Sequence, residues 1–206
     1  MIDRYALAIL KPVTDAAARR LAAKGFSADQ VSLAGFAIGL LAALSIAAGF
    51  PGLAIVPLLL NRAIDGIDGA LARLSQASDR GAFLDIGLDF LFYAAIPLGF
   101  GLADPGNNAL AAAALLAAFV GTGTSFLAYA VIAEKRGLKS EAYPTKSFYY
   151  LGGLTEGTET IAAFLAMCWW PQHFAAIAYV YAALCTVTTV TRLWAGWQAF
   201  GGDARS

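Results

Sequence analysis

The chain has 206 residues, of which 59% are hydrophobic and only 14% charged, against roughly a quarter charged in a soluble globular domain. Fourteen basic and fourteen acidic residues cancel to a formal net charge of zero, which argues against a nucleic-acid partner. The expectation is an all-α membrane protein forming a single domain over residues 1–206.

Residues 3–24 have helical periodicity without being a span. Tyr5, Leu7, Ala8, Leu10, Val13 and Leu21 offer an apolar side, and Arg4, Lys11, Arg19, Arg20 and Lys24 supply cations. This pattern predicts an amphipathic helix lying on anionic lipid, or else a leader packed on the protein. The first thirty residues lack an uninterrupted apolar core, so no cleavable signal peptide is expected. Ser27, with Gln30 three residues on, predicts a capping box.

Six transmembrane helices follow, at about 31–50, 53–74, 81–101, 108–133, 148–170 and 174–197, each long enough for about 30 Å of hydrocarbon. Gly35 and Gly39 in the first span and Gly121 and Gly123 in the fourth mark places where helices can approach closely. Cys168 and Cys185 fall in apolar runs and read as buried thiols, and His173 in a short polar break reads as an interface residue.

Thirteen of the fourteen Lys and Arg residues lie in the leading segment, in or beside the second-to-third and fourth-to-fifth connections, or at or near the tail; Arg62 is the one deep inside a span. The positive-inside rule then puts both termini in the cytoplasm and the chain in the cytoplasmic membrane.

The most informative stretch runs from Asp65 to Asp89. Asp65 and Asp68 are three residues apart, and Asp85 and Asp89 four; either spacing puts both side chains on one helical face. On neighbouring antiparallel helices four carboxylates converge. Their mutual repulsion calls for a divalent cation, and oxygen-only ligands favour Mg2+, Mn2+ or Ca2+ over zinc.

This stretch resembles the signature of the CDP-alcohol phosphotransferases, also called CDP-alcohol phosphatidyltransferases: D-x-x-D-G-x-x-A-R, a spacer, then G-x-x-x-D-x-x-x-D. The matching residues are Asp65, Asp68, Gly69, Ala72, Arg73, Gly81, Asp85 and Asp89. Seven residues separate Arg73 from Gly81 where the family pattern has eight, and Ala28 and Asp29 stand where the family carries a Pro-Asn pair.

The resemblance implies transfer of a phosphoalcohol group from a CDP-alcohol to an acceptor alcohol, with release of CMP, in phospholipid biosynthesis. CDP-diacylglycerol is the favoured donor, because one substrate must be a lipid. It further implies Mg2+ or Mn2+ on Asp65, Asp68 and Asp85, with Asp89 as general base and additional metal contact. Asp65, Asp68, Gly69, Ala72, Arg73 and Gly81 would serve the nucleotide and pyrophosphate. The family is often homodimeric, and the Gly35/Gly39 or Gly121/Gly123 pairs offer a face for a second copy.

Elsewhere alternatives stay open. Arg62 either pairs with a site carboxylate or contacts substrate. Glu156 and Glu159 either line the acceptor pocket or join an interhelical hydrogen-bond network. Lys135 and Arg136, with Lys139 and Lys146, either bind an acceptor phosphate or are ordinary positive-inside charges. Two rival functions remain: a divalent-cation transporter or channel, because acids within spans also mark ion pathways, and a non-catalytic lipid-binding scaffold.

Overall fold

A computed structural model describes residues 3–75, 78–137 and 153–201, and within them every long element is a helix. In chain order these are α1 (Asp3–Ala23), α2 (Ala28–Ala47), α3 (Pro51–Ser75), α4 (Asp79–Ala103), α5 (Pro105–Lys135), α6 (Gly157–Trp169), a 3-10 turn (Pro171–His173) and α7 (Phe174–Phe200). The boundaries follow local chemistry. The Ser27 hydroxyl accepts from the Gln30 amide, and the Gln30 side chain accepts from the Ser27 amide, so the expected capping box opens α2. Ser78 caps α4 through the Gly81 amide. Asp104 caps α5, whose first residue is Pro105, a position where a missing amide hydrogen costs nothing.

Helices α2, α5 and α7 run about 30, 46 and 40 Å at 1.5 Å per residue. Together with α4 they are the four described helices both long and apolar enough to cross a membrane. The other two expected spans differ. Helix α3 has 25 residues but carries Arg62, Asp65, Asp68 and Arg73 from about its middle onward. Helix α6 has only 13 residues, about 20 Å of helix. The fifth span was expected to begin near residue 148. Residues 148–152 lie outside the described residues, and 153–156 are not helical, because the Glu156 and Glu159 carboxylates bind backbone amides at this helix start.

The core is aliphatic and aromatic. Ile46, Leu58, Phe92, Ile96, Phe100, Leu115, Phe164, Met167 and Phe174 are buried, and Phe100 stacks on Phe174 at 4.4 Å between centroids. Large apolar side chains such as Leu53, Leu110, Val131 and Val190 point outward, the inverse of a water-facing surface and the pattern a lipid-facing one requires. Helix α1 packs against α3: Ala18 is fully buried in a small cluster with Val31, Ala70 and Leu71, and Arg73 reaches Asp15 at 4.0 Å. The leader is thus packed on the protein along α3.

The glycine pairs serve the fold from within. A Cβ on Gly35 would lie 2.8 Å from Ile64 of α3, and one on Gly39 2.6 Å from the Phe92 ring of α4. A Cβ on Gly121 would meet Thr189 of α7 at 3.0 Å, and one on Gly123 the Phe90 ring of α4 at 2.6 Å. These four positions are filled by the chain's own helices, which corrects the expectation that they form the face for a second copy. The two cysteines are free and buried, as expected, and His173 is exposed in its turn.

Candidate active site

Helices α3 and α4 bring the four aspartates together because they run antiparallel, with Arg62 opposite Asp89 and Tyr93 and with Asp68 near Asp85. Asp65 lies ten residues before Ser75 and Asp89 ten after Asp79; Asp68 lies seven before and Asp85 six after. At 1.5 Å per residue the first pair sits about 15 Å from these helix ends and the second about 10 Å, so the acids meet at matched depths.

One carboxylate oxygen from each of Asp65, Asp68 and Asp85 lies within 4.8 Å of the other two. Oxygen ligands about a shared Mg2+, Mn2+ or Ca2+ at about 2.0–2.6 Å are separated by no more than about 4–5 Å, so the three acids fit a hard divalent cation. Asp68 is buried, Asp65 half-buried and Asp85 exposed, so the cluster is open at one end. Asp89 is not in this group of three. Its Oδ1 accepts a 2.7 Å bond from Arg62 Nη2, while Arg62 Nη1 lies 3.6 Å from Asp65 Oδ2. Of the two readings open for Arg62, the ion pair with a site carboxylate is realised.

Helix α2 closes the cleft with Ser32, Gly35 and Phe36, facing Asn61 and Arg62 of α3 and Leu88 and Phe92 of α4. The missing side chains of Gly35 and Gly39 permit this approach. Asn61 Nδ2 donates to the Gly35 carbonyl at 2.9 Å, tying α3 to α2. At the cleft's edge Asp29 of α2 pairs with Arg80 of α4 at 3.1 Å. The residue in the place of the family's Asn thus ties the starts of the two helices together.

The remaining signature residues lie around this cleft rather than in its lining. A Cβ on Gly69 would meet only Arg73 Nη1, at 3.6 Å, and Ala72 is half-buried, so this side of α3 carries little bulk. Arg73 is exposed. A Cβ on Gly81 would lie 3.2 Å from Ser78 Oγ and 3.3 Å from Asp29 Oδ1; absence of a side chain leaves room for the cap and the Asp29–Arg80 pair.

Of the four other residues expected near the acceptor, three have partners elsewhere. Glu156 Oε1 accepts from the Gly153 amide and Glu159 Oε2 from the Glu156 amide, which organises the start of α6. Arg136 donates to the Phe200 carbonyl at 2.9 Å and stands over the Phe200 ring, and Lys135 is exposed at the end of α5. None of the four lines the cleft at the aspartates. Lys139 and Lys146 lie outside the described residues.

The sequence reading passed over Ser32, Asn61, Phe92 and Tyr93. For three of them a signal existed: Asn61 is four residues before Asp65, and Phe92 and Tyr93 are three and four after Asp89, so all three share a face with an aspartate.

A profile of the CDP-alcohol phosphatidyltransferase family matches residues 26–194. The chain belongs to this family. Among curated relatives, the inner membrane protein YnjF of Escherichia coli K12 is 52% identical over 197 residues, 96% of either chain. Two crystal structures of Mycobacterium tuberculosis phosphatidylinositol phosphate synthase (PgsA1) share the fold. The one with CDP-DAG bound has a TM-score of 0.72 at 22% identity, covering 90% of this chain and 94% of that one. The complex with manganese and citrate has a TM-score of 0.70 at 23% identity, covering 89% and 88%. Family membership gives no support to the cation-transport reading.

Proposed function

We propose that this chain is a metal-dependent, multi-pass enzyme of the cytoplasmic membrane, with both termini in the cytoplasm. It transfers the phosphatidyl group of CDP-diacylglycerol to an acceptor alcohol, releases CMP, and acts in phospholipid biosynthesis. The observation that carries this reading is the convergence of Asp65, Asp68 and Asp85 within 4.8 Å, beside Asp89, on the two helices that hold the family signature. The manganese and CDP-DAG complexes of the structural neighbour support the choice of ion and donor.

In the reaction, the acceptor hydroxyl oxygen attacks the lipid-bearing phosphorus of the donor. The bond from that phosphorus to the bridging oxygen breaks, CMP departs with the electron pair, and the hydroxyl proton passes to Asp89 as general base. A divalent ion on the Asp65, Asp68 and Asp85 carboxylates would offset charge on the pyrophosphate and the leaving phosphate. Arg73, one to two turns beyond Asp68 and exposed, would hold a phosphate oxygen. The low bulk of Gly69 and Ala72 leaves the helix surface free for the cytidine end.

Helix α3 reaches about 37 Å over its 25 residues. Its polar face turns toward Ser32 and Asp85 in the cleft rather than outward. On this reading it is a fifth span beside α2, α4, α5 and α7, and α6 belongs to a sixth.

The test uses purified protein, Mn2+ and labelled CDP-diacylglycerol, assayed for CMP against a panel of glycerol phosphate, inositol phosphate, serine and a lipid alcohol. CMP release that depends on one acceptor is the expected result. Metal flux in proteoliposomes with no CMP from any acceptor would overturn the proposal.

A further inference from the structure

The four tryptophans of the chain sit at two levels, and none is in the core. Trp169 ends α6 and Trp170 follows it at the turn into α7, whereas Trp194 and Trp197 lie in the last two turns of α7. Each is at least 51% exposed. Tryptophan is on average highly buried in folded proteins. Four exposed out of four call for a surrounding that accepts an apolar ring and an N–H together, as the edge of a lipid bilayer does.

Helix α7 joins the two levels. Trp194 stands 20 residues after Phe174, about 30 Å at 1.5 Å per residue, which is the thickness of the hydrocarbon layer. Between them Val180, Leu184, Val187 and Val190 share one broad exposed face. The hydroxyls of Thr186 and Thr191 beside it are spent on carbonyls of their own helix, those of Ala182 and Thr188, as an apolar surrounding requires. The one charge of α7, Arg192, is buried on the opposite side.

The small residues of the helix point the other way. Ala178, Ala182 and Cys185 are buried, and Thr189 meets Gly121 of α5. Helices that pair within a membrane do so through small residues, and α7 has turned its own toward the protein. The bulky face therefore fits lipid rather than a second copy. At the Trp197 end, Arg136 of α5 is exposed and donates to the Phe200 carbonyl. This sets a cation beside the aromatic level, where phospholipid headgroups favour one. Residues 169–178, at the other end, hold no Lys or Arg.

We propose that this face of α7 meets bilayer lipid across the whole hydrocarbon layer, with Trp169 and Trp170 seated at the headgroup level of one leaflet and Trp194 and Trp197 at that of the other. The proposal goes beyond the reaction described above and does not depend on it.

The test is tryptophan fluorescence in vesicles of phosphatidylcholine and phosphatidylglycerol whose acyl chains carry bromine either near the carbonyl or near the chain end. The wild type is compared with Trp169→Phe combined with Trp170→Phe, and with Trp194→Phe combined with Trp197→Phe, so that each pair is read alone. Bromine near the carbonyl should quench more than bromine near the chain end in all three. Stronger quenching from the chain end, or none from either lipid, would overturn the proposal for the pair that shows it. Val187→Cys should stay uncrosslinked under copper phenanthroline in the same vesicles; a crosslinked dimer would put a second copy on this face and overturn the assignment to lipid. Should a double variant fail to fold, stronger chain-end quenching of the wild type would still overturn the proposal.

Discussion

Gly39 on α2 faces the Phe92 ring on α4 so closely that a single added methyl would lie 2.6 Å from Cδ2, and 2.9 Å from Asn61 Nδ2. Both neighbours support Arg62: Asn61 Oδ1 accepts from its Nε, and the Phe92 ring lies under its guanidinium. One missing side chain thus connects helix packing to the charged end of the cleft.

Gly39→Ala should therefore act at two levels. Neither neighbour can yield cheaply, because Phe92 is buried in the core and Asn61 is held by the Gly35 carbonyl. Overpacking of this kind costs about 1–3 kcal/mol, to be read as a lower thermal midpoint in detergent. The displaced Arg62 platform should also reduce CMP release. A variant as stable and active as the wild type would show that the α2–α4 approach is looser than described.

Asp89→Asn removes the proton acceptor but keeps the shape of the side chain. Positioned general bases contribute about 10²–10⁴-fold, so CMP formation should fall by at least about a hundredfold, with donor KM changed little. Initial rates across donor concentrations make the comparison. Wild-type-like turnover would refute the base assignment.

Chelation should abolish the reaction, and either Mg2+ or Mn2+ should restore it, because an all-carboxylate cluster selects hard cations. Asp68 is the buried member of the cluster, so Asp68→Asn should weaken metal use most directly. Losing a residue that merely orients a ligand costs about 10–100-fold in metal affinity, and losing a ligand should cost at least as much. The Mn2+ concentration for half-maximal rate measures this; an unchanged value would remove Asp68 from the ligand set.

Cys168 and Cys185 are 2% and 1% exposed, and structural thiols so enclosed are inert. Maleimide should label neither in the folded protein and both after denaturation in dodecyl sulfate. Rapid labelling of the folded protein would contradict the packing of α6 and α7.

By itself, the sequence determined that this is an all-helical chain with its acids on two adjacent helices. The reason is local: spacings of three and four residues put Asp65 with Asp68 and Asp85 with Asp89 on common faces, and apolar runs of span length bracket them. The caps at Ser27 and the burial of both thiols were legible for the same reason, since each depends on residues close in the chain.

What the tertiary structure alone decided is which face meets which neighbour. Rotation of α2 against α3 and α4, set by Gly35 on Ile64 and Gly39 on Phe92, brings Ser32 and Asn61 into the cleft. It also directs Arg62 to Asp89 and leaves three acids, not four, in one group. The same long-range packing turned the glycine pairs inward, while the backbone ahead of α6 drew Glu156 and Glu159 into organising a helix start. Periodicity states which residues share a side of a helix; it carries no information on that side's partner, because the partner depends on contacts between residues far apart in the chain.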